Sequence, residues 1–346
     1  MEGHEVLRRR YAAQGLAERA DSTVADVAGR LAGLQAQDTA AMRLAVRART
    51  RGLTADRVRE DCAEPGKLAR TWLMRGTLHL VPAVDVRWMV SVFGPRNVAA
   101  GRGRRAQLGL DDRICETAMA KLPGILRGRA LSRAEIVAEL ELDLRGQAVP
   151  HLMAYAAGRG LICRGPDLAK DEPGYVLLDE WAPKATPPTD PLVELARRYQ
   201  QAFGPATAED FAAWSGLPIT TVRQKFQAAR MEESTQSEES AQLDEPGGSG
   251  LRLLGAYDTY LLGYRDRSLM LDPAYAHRIQ AGGGVLHPTV VVDGRIVGRW
   301  RMTAKELHVE AFDRTVHTRQ TALAEEAADV ARFLGRPTGL RTTSGR

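Results

Sequence analysis

The spacing of apolar positions predicts a chain that begins with helices and ends with strands. Residues 21–31 place four apolar side chains on one helical face behind a capping residue, and a second helix is predicted over 54–62. Residues 68–74 and 77–81 have the pattern of two short strands joined at Arg75-Gly76. Helices followed by a β-hairpin indicate a winged helix.

The same plan returns in the middle of the chain. Ser132 and Glu135 have the spacing of a capping box and open a helix, which is followed by a second predicted helix over 147–159. Strand candidates then occupy 161–164 and 174–178. This segment has the clearest winged-helix pattern in the sequence.

A third helical pair follows a proline-rich stretch. The stretch, at 181–191, is typical of a stiff linker. Beyond it Thr207 opens a helix, Gly216-Leu217-Pro218 interrupts the pattern, and a second helix is predicted over 219–229. The sequence therefore predicts three tandem winged helices.

The pattern changes to strands after the glycine-rich stretch at 247–250. Asp293-Gly294 has the composition of a two-residue hairpin turn, and a helix at 319–334 closes the region. Strands are predicted at 251–254, 286–292, 295–301 and 307–311. The prediction is an α+β protein with a small C-terminal β-barrel or sheet. Its modules are residues 1–106, 107–182, 190–246 and 250–336.

Charge is unevenly distributed along the chain. The 346 residues carry a formal net charge of +5, and only six of the 48 basic residues are lysine. Arginines concentrate at 43–51 and 96–105, whereas 231–245 holds six acids and no base. Arginine suits phosphate binding, so the pattern favours a nucleic-acid surface in the N-terminal third; codon bias from a GC-rich genome explains it equally well.

The cysteines and the N-terminal residues indicate the cellular compartment of the protein and whether it binds a metal. Cys62, Cys115 and Cys163 are widely spaced, odd in number and without neighbouring histidines, which favours neither a disulfide framework nor a zinc site. The first residues lack the apolar run of a signal peptide, and no stretch of eighteen apolar residues occurs. We therefore expect a cytoplasmic, nucleoid-associated protein with no metal, no cofactor and no membrane partner.

Gln35-Ala36-Gln37 is the candidate for chemistry. Two glutamines one residue apart can direct two neutral amide groups at one bond without adding charge. Such a pair fits a substrate that carries its own activation. Taken alone, the pair is more often a solvated surface, so its context decides.

That context resembles the AlkZ-like bacterial winged-helix DNA glycosylases, a group that includes self-resistance enzymes of genotoxin producers. The resemblance covers most of the chain, and Gln35-Ala36-Gln37 falls where the family's catalytic Gln-x-Gln motif falls. It is carried by RTWLMRGTLHL at 70–80, GAYDTYLLGYRDR at 255–267 and PTVVVDGR at 288–295. A related branch has Gln-x-Asp, so Gln37 is typical of the AlkZ side.

The resemblance implies a monofunctional glycosylase acting on double-stranded DNA that carries a bulky N7-alkylated purine. Gln35 and Gln37 would be catalytic, with Asp38 and His79 as secondary candidates. A C-shaped, monomeric molecule would hold DNA in a basic channel. Because only 5% of residues are aromatic, we expect limited base flipping.

Arginines and loops complete the predicted DNA contacts. We expect 96–105 to form a basic loop, and 277–284 to form a hairpin tip that probes the lesion. Tyr257, Asp258, Tyr260 and Tyr264 could border the cavity. The DNA-binding candidates are Arg43, Arg70, Arg75, Arg102, Arg104, Arg105, Arg265, Arg267 and Arg278.

Two other functions remain open on sequence grounds. A transcription regulator would use the basic modules to read DNA and would leave the glutamines on the surface. A drug-sequestering resistance protein would bind the free genotoxin in its channel. Base release from alkylated DNA distinguishes the enzyme from both.

Overall fold

A computed structural model describes residues 3–144, 146–169, 172–236, 250–303, 306–336 and 339–344. These residues separate into two compact units: 1–58 with 193–346, and 59–192. Most of the acidic stretch expected at 231–245 lies outside the described residues.

The elements follow one another in an order that places most strands late in the chain. The first part contains α1 (Gly3–Ala13), α2 (Val24–Arg30), β1 (Leu34–Gln35), α3 (Thr39–Arg47) and α4 (Ala55–Ala63). The middle contains β2 (Leu68–Trp72), β3 (Leu78–Pro82), α5 (Val86–Ala100), α6 (Arg102–Gln107), α7 (Asp112–Leu126), α8 (Arg133–Leu140), α9 (Ala148–Gly158), β4 (Ile162–Asp167), β5 (Pro173–Leu177) and α10 (Leu178–Trp181). Next come α11 (Pro191–Phe203), α12 (Ala208–Ser215), α13 (Ile219–Gln236), β6 (Leu251–Leu254), α14 (Thr259–Leu262), α15 (Ala276–Ile279), β7 (Gln280–Gly282) and β8 (Val285–Leu286). The last elements are β9 (Thr289–Val292), β10 (Arg295–Met302), β11 (Glu306–Ala311), α16 (Thr315–Thr318), α17 (Gln320–Phe333) and β12 (Gly339–Ser344).

Capping boxes fix the start of three helices. The predicted box of Ser132 and Glu135 opens α8, with both reciprocal hydrogen bonds present. Equivalent boxes open α2 and α12, at Thr23 and Thr207. Because each box satisfies two backbone N–H groups that the helix cannot satisfy internally, these helix starts were readable from local sequence.

The 59–192 unit is built around two β-hairpins and three long helices. β2 pairs antiparallel with β3 and contacts β4, which pairs antiparallel with β5. Helices α5 and α9 cross at Gly94 and Gly158, where a Cβ on Gly94 would lie only 2.2 Å from the Gly158 carbonyl oxygen. The core consists of buried aliphatic side chains from α7, α8 and α9 against the strands.

The other unit contains an open sheet of five strands in the order β12-β11-β10-β9-β6. The Asp293-Gly294 turn joins β9 to β10 as predicted, and both residues have the positive φ that a tight hairpin turn requires. Buried side chains of α17 pack against one face of this sheet. The sheet prediction is confirmed and the closed barrel is wrong, since β12 pairs parallel to β11 and β6 ends the other edge.

Two local predictions were also wrong. Residues 286–292 form two strands rather than one, because Pro288 has no N–H with which to continue a ladder. Residues 96–105 are helical, in α5 and α6, rather than a loop. The α+β class is confirmed, whereas the four-module division and the winged-helix identity of the modules stay predictions.

Candidate active site

Gln35-Ala36-Gln37 lies in a short extended segment between α2 and α3. Ala32 and Gly33, at φ 50° and 114°, turn the chain out of α2 and into β1. Ala36 is fully buried and anchors the segment, whereas Gln37 is exposed and Gln35 is half-buried. The backbone and the small buried side chain of Ala36 therefore hold the motif in place. The two side-chain amides belong to the less buried residues, Gln35 and Gln37.

The Gln35 side chain carries an unusual polar atom. Its Oε1 is the one amide oxygen among ten buried side-chain atoms that have no hydrogen-bond partner within the described residues. An unsatisfied buried acceptor costs about 1–3 kcal/mol, so such atoms are uncommon outside places where a ligand or water binds. The amide oxygen is thus available to accept a hydrogen bond from a substrate or a water.

Asp38 has a different task. Its Oδ1 accepts a hydrogen bond from the Ala41 backbone N–H at 2.9 Å, which makes it the N-cap of α3. The residue itself has an extended backbone and lies just outside the helix that it caps. Its carboxylate is used to start a helix, which weakens its candidacy for catalysis.

His79 is buried in β3, in register with Thr71 of β2. Burial, with a smaller contribution from the positive charge of Arg75, lowers the pKa of His79 to about 3. Its Nδ1 lies 2.9 Å from the Thr77 carbonyl oxygen, which can only accept, so Nδ1 carries the proton. A neutral, enclosed imidazole of this kind supports the turn rather than exchanging protons with a substrate.

The β2–β3 hairpin ends in the turn Met74–Gly76, which carries Arg75. Arg75 is exposed and has φ 53° and ψ 19°, a left-handed conformation that is uncommon outside glycine. The Asn97 side-chain amide donates to the Leu73 carbonyl at 2.9 Å and fixes the base of the turn. Arg75 therefore projects from a supported hairpin tip, as its assignment to DNA requires.

Arg70, on the same hairpin, is enclosed. Its guanidinium forms an ion pair with Asp167 and donates to the Gly165 carbonyl at 3.1 Å. Only 2% of the residue is exposed. The assignment of Arg70 to DNA binding is therefore corrected, because a buried and paired guanidinium cannot reach phosphate without unmaking this structure.

The arginines of α6 likewise divide into exposed and buried side chains. Arg102 and Arg104 are exposed, the first 3.4 Å from Asp112 and the second 3.2 Å from the Gln107 side-chain oxygen. Arg105 is buried, donates to the Val98 carbonyl at 2.9 Å and lies 4.7 Å over the Tyr155 ring. Arg105 is accordingly a packing residue, and the DNA assignment is kept for the other two.

The remaining arginine candidates are partly accessible. Arg265 is exposed, and its backbone N–H donates to Asp210 at 2.9 Å. Arg43 and Arg267 are half-buried, and burial lowers the pKa of Arg267. Arg278 lies over the Phe312 ring at 5.5 Å and near Glu310 at 3.6 Å.

The expected aromatic border of the cavity is part of the core instead. Tyr260 and Tyr264 are buried and donate their hydroxyls to the carbonyls of Gly294 and Phe203. Asp258 is also buried and forms a 2.7 Å ion pair with Arg49. Tyr257 is half-buried at φ 56°. Asp258, Tyr260 and Tyr264 are therefore buried, bonded parts of the fold.

Much of the arginine density at 43–51 is structural. Arg47 is fully buried and contacts Glu326 at 3.0 Å, Asp329 at 3.1 Å and the Leu253 carbonyl at 2.7 Å. Acidic partners far away in sequence neutralise this charge, so a count of local charges could not find it. The predicted DNA-facing surface is smaller than the sequence suggested.

The hairpin predicted at 277–284 lies at 280–286, where β7 pairs antiparallel with β8, whereas 277–279 belong to the short helix α15. The tip of the hairpin is Gly282, Gly283 and Gly284, all at positive φ, followed by the exposed Val285. In the described part of the chain no group of three His, Cys, Asp or Glu side chains is arranged to bind a metal. Nor does any described helix have the length and apolar content needed to cross a membrane.

The candidates divide between the two compact units. The glutamine motif, Asp38, Arg43 and the candidates after residue 260 belong to the unit formed by 1–58 and 193–346. His79 and the arginines at 70, 75, 102, 104 and 105 belong to the 59–192 unit. Each unit thus carries exposed arginine, and only the first carries the glutamine pair.

The chain is similar to known DNA glycosylases in both sequence and structure. Residues 28–333 match the family described as "DNA glycosylase AlkZ-like". The chain is 29% identical to an "Interstrand DNA cross-link repair glycosylase" of Streptomyces sahachiroi, over 96% of both sequences. It also matches the solved structure of "Streptomyces sahachiroi DNA glycosylase AlkZ" with a TM-score of 0.82 and 28% identity, over 99% of this chain and 100% of that one.

Proposed function

Because the chain belongs to the AlkZ-like DNA glycosylase family, we propose that this glycosylase releases bulky N7-alkylated purines from duplex DNA and unhooks interstrand cross-links. The cross-link activity is inferred from the name of the Streptomyces sahachiroi relative. The observation that carries the mechanism is the buried Oε1 of Gln35, which has no hydrogen-bond partner in the described part of the chain, beside an exposed Gln37.

The reaction needs little acid catalysis. Alkylation at N7 makes the purine cationic, so the C1′–N9 bond breaks with both electrons passing to the base, which leaves neutral. A water oxygen bonds to C1′, and one water proton passes to solvent, leaving an abasic sugar. Neutral amides that position water and stabilise the developing sugar cation are sufficient, since positioning alone can supply several kcal/mol.

The two glutamines take separate parts in this proposal. Gln35 Oε1 accepts a hydrogen bond from the attacking water, which satisfies the orphaned acceptor. Gln37, being more exposed, hydrogen-bonds the deoxyribose. Asp38 acts indirectly by starting α3 at the end of the motif. His79 acts as a positioning residue for the hairpin turn that carries Arg75.

We propose that exposed arginines hold the DNA backbone in a basic channel formed by winged-helix modules of one monomer. Arg75, Arg102, Arg104 and Arg265 support this proposal by their exposure. Arg43, Arg267 and Arg278 are kept as secondary contacts because they are partly enclosed. Phosphate contacts of this kind fix orientation without reading sequence, which suits an enzyme that searches for damage.

The test is single-turnover base release from a duplex that carries one N7-alkylguanine. Gln35→Ala and Gln37→Ala should each reduce the rate by about 100-fold, the typical effect of removing one group that stabilises developing charge. Gln224→Ala, which truncates an exposed glutamine of α13, is the matched control and should leave the rate unchanged. Base release that survives both motif substitutions at the wild-type rate would refute the mechanism.

Analysis of the DNA product tests three further parts of the proposal: the abasic site, the absence of a lysine imine and the unhooking of cross-links. Alkali should cleave the DNA at the abasic site after the reaction. Borohydride should trap no protein–DNA adduct, because the proposal contains no lysine imine. A cross-linked duplex should yield separated strands under denaturing conditions after treatment with wild-type enzyme, and unseparated strands after treatment with Gln37→Ala.

The biological setting is also a proposal. Action at the nucleoid follows from a DNA substrate, and self-resistance to a genotoxic natural product follows from the resemblance described above. Deleting the gene should sensitise its host to the cognate alkylating agent. Only the wild-type gene, and not the Gln37→Ala gene, should restore survival.

A further inference from the structure

One face of the C-terminal sheet carries a row of basic side chains on three neighbouring strands. Arg301 of β10 is directly opposite His308 of β11, and His308 is directly opposite Arg341 of β12. In the adjacent row Arg299 faces Glu310. Directly opposite residues of paired strands share one face, so these side chains form a continuous surface, the β10–β12 face.

This surface lies on the side of the sheet that points away from the core. Trp300, Leu307 and Val309, which alternate with the basic residues, are buried with α17 on the other side. Arg301 and Arg341 are exposed. A depression of about 400 Å³ runs along the basic face and also includes His287.

The charge on this face is only partly neutralised. Arg299 lies 2.7 Å and Arg278 lies 3.6 Å from the single carboxylate of Glu310, while His308 lies 2.9 Å from Glu306. Among the residues that the structure describes, no acidic side chain forms an ion pair with Arg301 or Arg341. The shallow groove is lined by three arginines, Arg299, Arg301 and Arg341, and by one carboxylate, that of Glu310.

The geometry points to a linear polyanion. Two strand spacings separate Arg301 from Arg341, which is about 9.5 Å between their backbones. One DNA strand advances about 3.4 Å per phosphate along the helix axis, so the row spans about three phosphates. The lining of the depression is charged or polar apart from Trp300 and Val309, both of which belong to the core.

We propose that the β10–β12 face binds the phosphodiester backbone of DNA as a contact separate from the glutamine motif. This contact is additional to the proposed reaction, since it contributes to the affinity for DNA and not to cleavage of the glycosidic bond. The contact involves no base and acts on undamaged DNA as well as on the damaged site. Arg301 and Arg341 supply the salt-sensitive part of the interaction. His308 lies between them, and Arg299 lies in the adjacent row.

The experiment compares binding of the full-length protein to a fluorescent 30-base-pair undamaged duplex over a range of salt concentrations. Arg301→Gln combined with Arg341→Gln should weaken binding at low salt and reduce the slope of log affinity against log salt by about 2, at roughly 0.9 per lost phosphate contact. Single-turnover excision at saturating enzyme should stay at the wild-type rate.

A second double variant controls for net charge. Arg113→Gln with Arg314→Gln removes two exposed arginines elsewhere and should leave the salt slope unchanged. Thermal melting should show that both double variants fold, because all four side chains are exposed.

Three results would overturn the proposal. The first is equal salt slopes for the two double variants. The second is stabilisation of the protein by inorganic phosphate at constant ionic strength that depends on Arg301 and Arg341 while DNA affinity does not; this would indicate a small-anion site. The third is a slope difference seen with an acidic peptide and absent with DNA, which would indicate a protein partner.

Discussion

The Gln35–Asp38 segment and the β2–β3 hairpin both carry predicted site residues, but the main side-chain groups of those residues have different partners. In the hairpin, the charged group of Arg70 is paired with Asp167 and the ring of His79 is held by the Thr77 carbonyl, although Arg70 Nε and the Thr71 hydroxyl have no hydrogen-bond partner among the described residues. In the glutamine segment, Gln35 has a buried amide oxygen for which the described residues supply no hydrogen-bond donor. The first arrangement stabilises a scaffold, and the second leaves capacity for a ligand.

The difference shows how a functional group can be recognised among many polar residues. Buried polar groups in folded proteins are normally satisfied. Arg47 and Arg70 also have an unsatisfied Nε, so the Gln35 oxygen stands out only together with its place beside the exposed amide of Gln37. The comparison can be tested by removing each group in turn.

The largest effect is expected for Arg70→Ala. Removing one partner of a buried ion pair leaves Asp167 charged and enclosed, so the free energy of unfolding should fall by about 3–5 kcal/mol. Urea denaturation measures this change. The double variant Arg70→Met with Asp167→Leu should recover most of it, and its DNA binding should keep the wild-type salt dependence. A loss below about 1 kcal/mol would contradict a scaffold role.

The next effect is a dependence of stability on pH that originates in His79. Its pKa is about 3 in the folded protein and about 6.5 when unfolded, so the unfolded chain takes up a proton that the folded chain excludes. The contribution of His79 to the free energy of unfolding is therefore fully present above pH 6.5, and it falls as the pH is lowered toward 3. Between pH 6.5 and pH 5 this group should cost about 2 kcal/mol.

The matched variant for that prediction is His79→Gln, whose amide can still donate to the Thr77 carbonyl. Urea denaturation at pH 6.5 and pH 5 should show a smaller loss of stability in this variant than in the wild type. An identical pH dependence in the two proteins would mean that the His79 ring is solvated in solution.

The smallest effect separates Asp38 from its glutamine neighbours. Asp38→Ala removes the N-cap of α3 and should lower the free energy of unfolding by about 1 kcal/mol. Asp38→Asn keeps a side-chain acceptor and should be nearly as stable as the wild type, with an excision rate close to the wild-type rate. A 100-fold slower reaction in Asp38→Asn at unchanged stability would show that the carboxylate takes part in catalysis.

Local sequence was sufficient for many elements and for the position of the candidate site. The capping box at Ser132, the Asp293-Gly294 turn and the strand at 251–254 depend on neighbouring residues, and all three were predicted correctly. The strand break at Pro288 also has a local cause, since proline lacks the N–H that a continuous strand would need. Glycine density suggested a loop at 96–105, whereas packing kept this segment helical.

What the sequence determined by itself was a chain of capped helices and hairpins, a C-terminal sheet and a neutral glutamine pair. Tertiary structure decided which polar groups are available. Arg47 and Arg70 look like DNA ligands by type, yet distant acids neutralise them in the interior, because a buried charge must be paired. Arg301 and Arg341 look ordinary, yet strand register aligns them on one exposed face. Both outcomes depend on contacts between residues far apart in sequence, which no local pattern records.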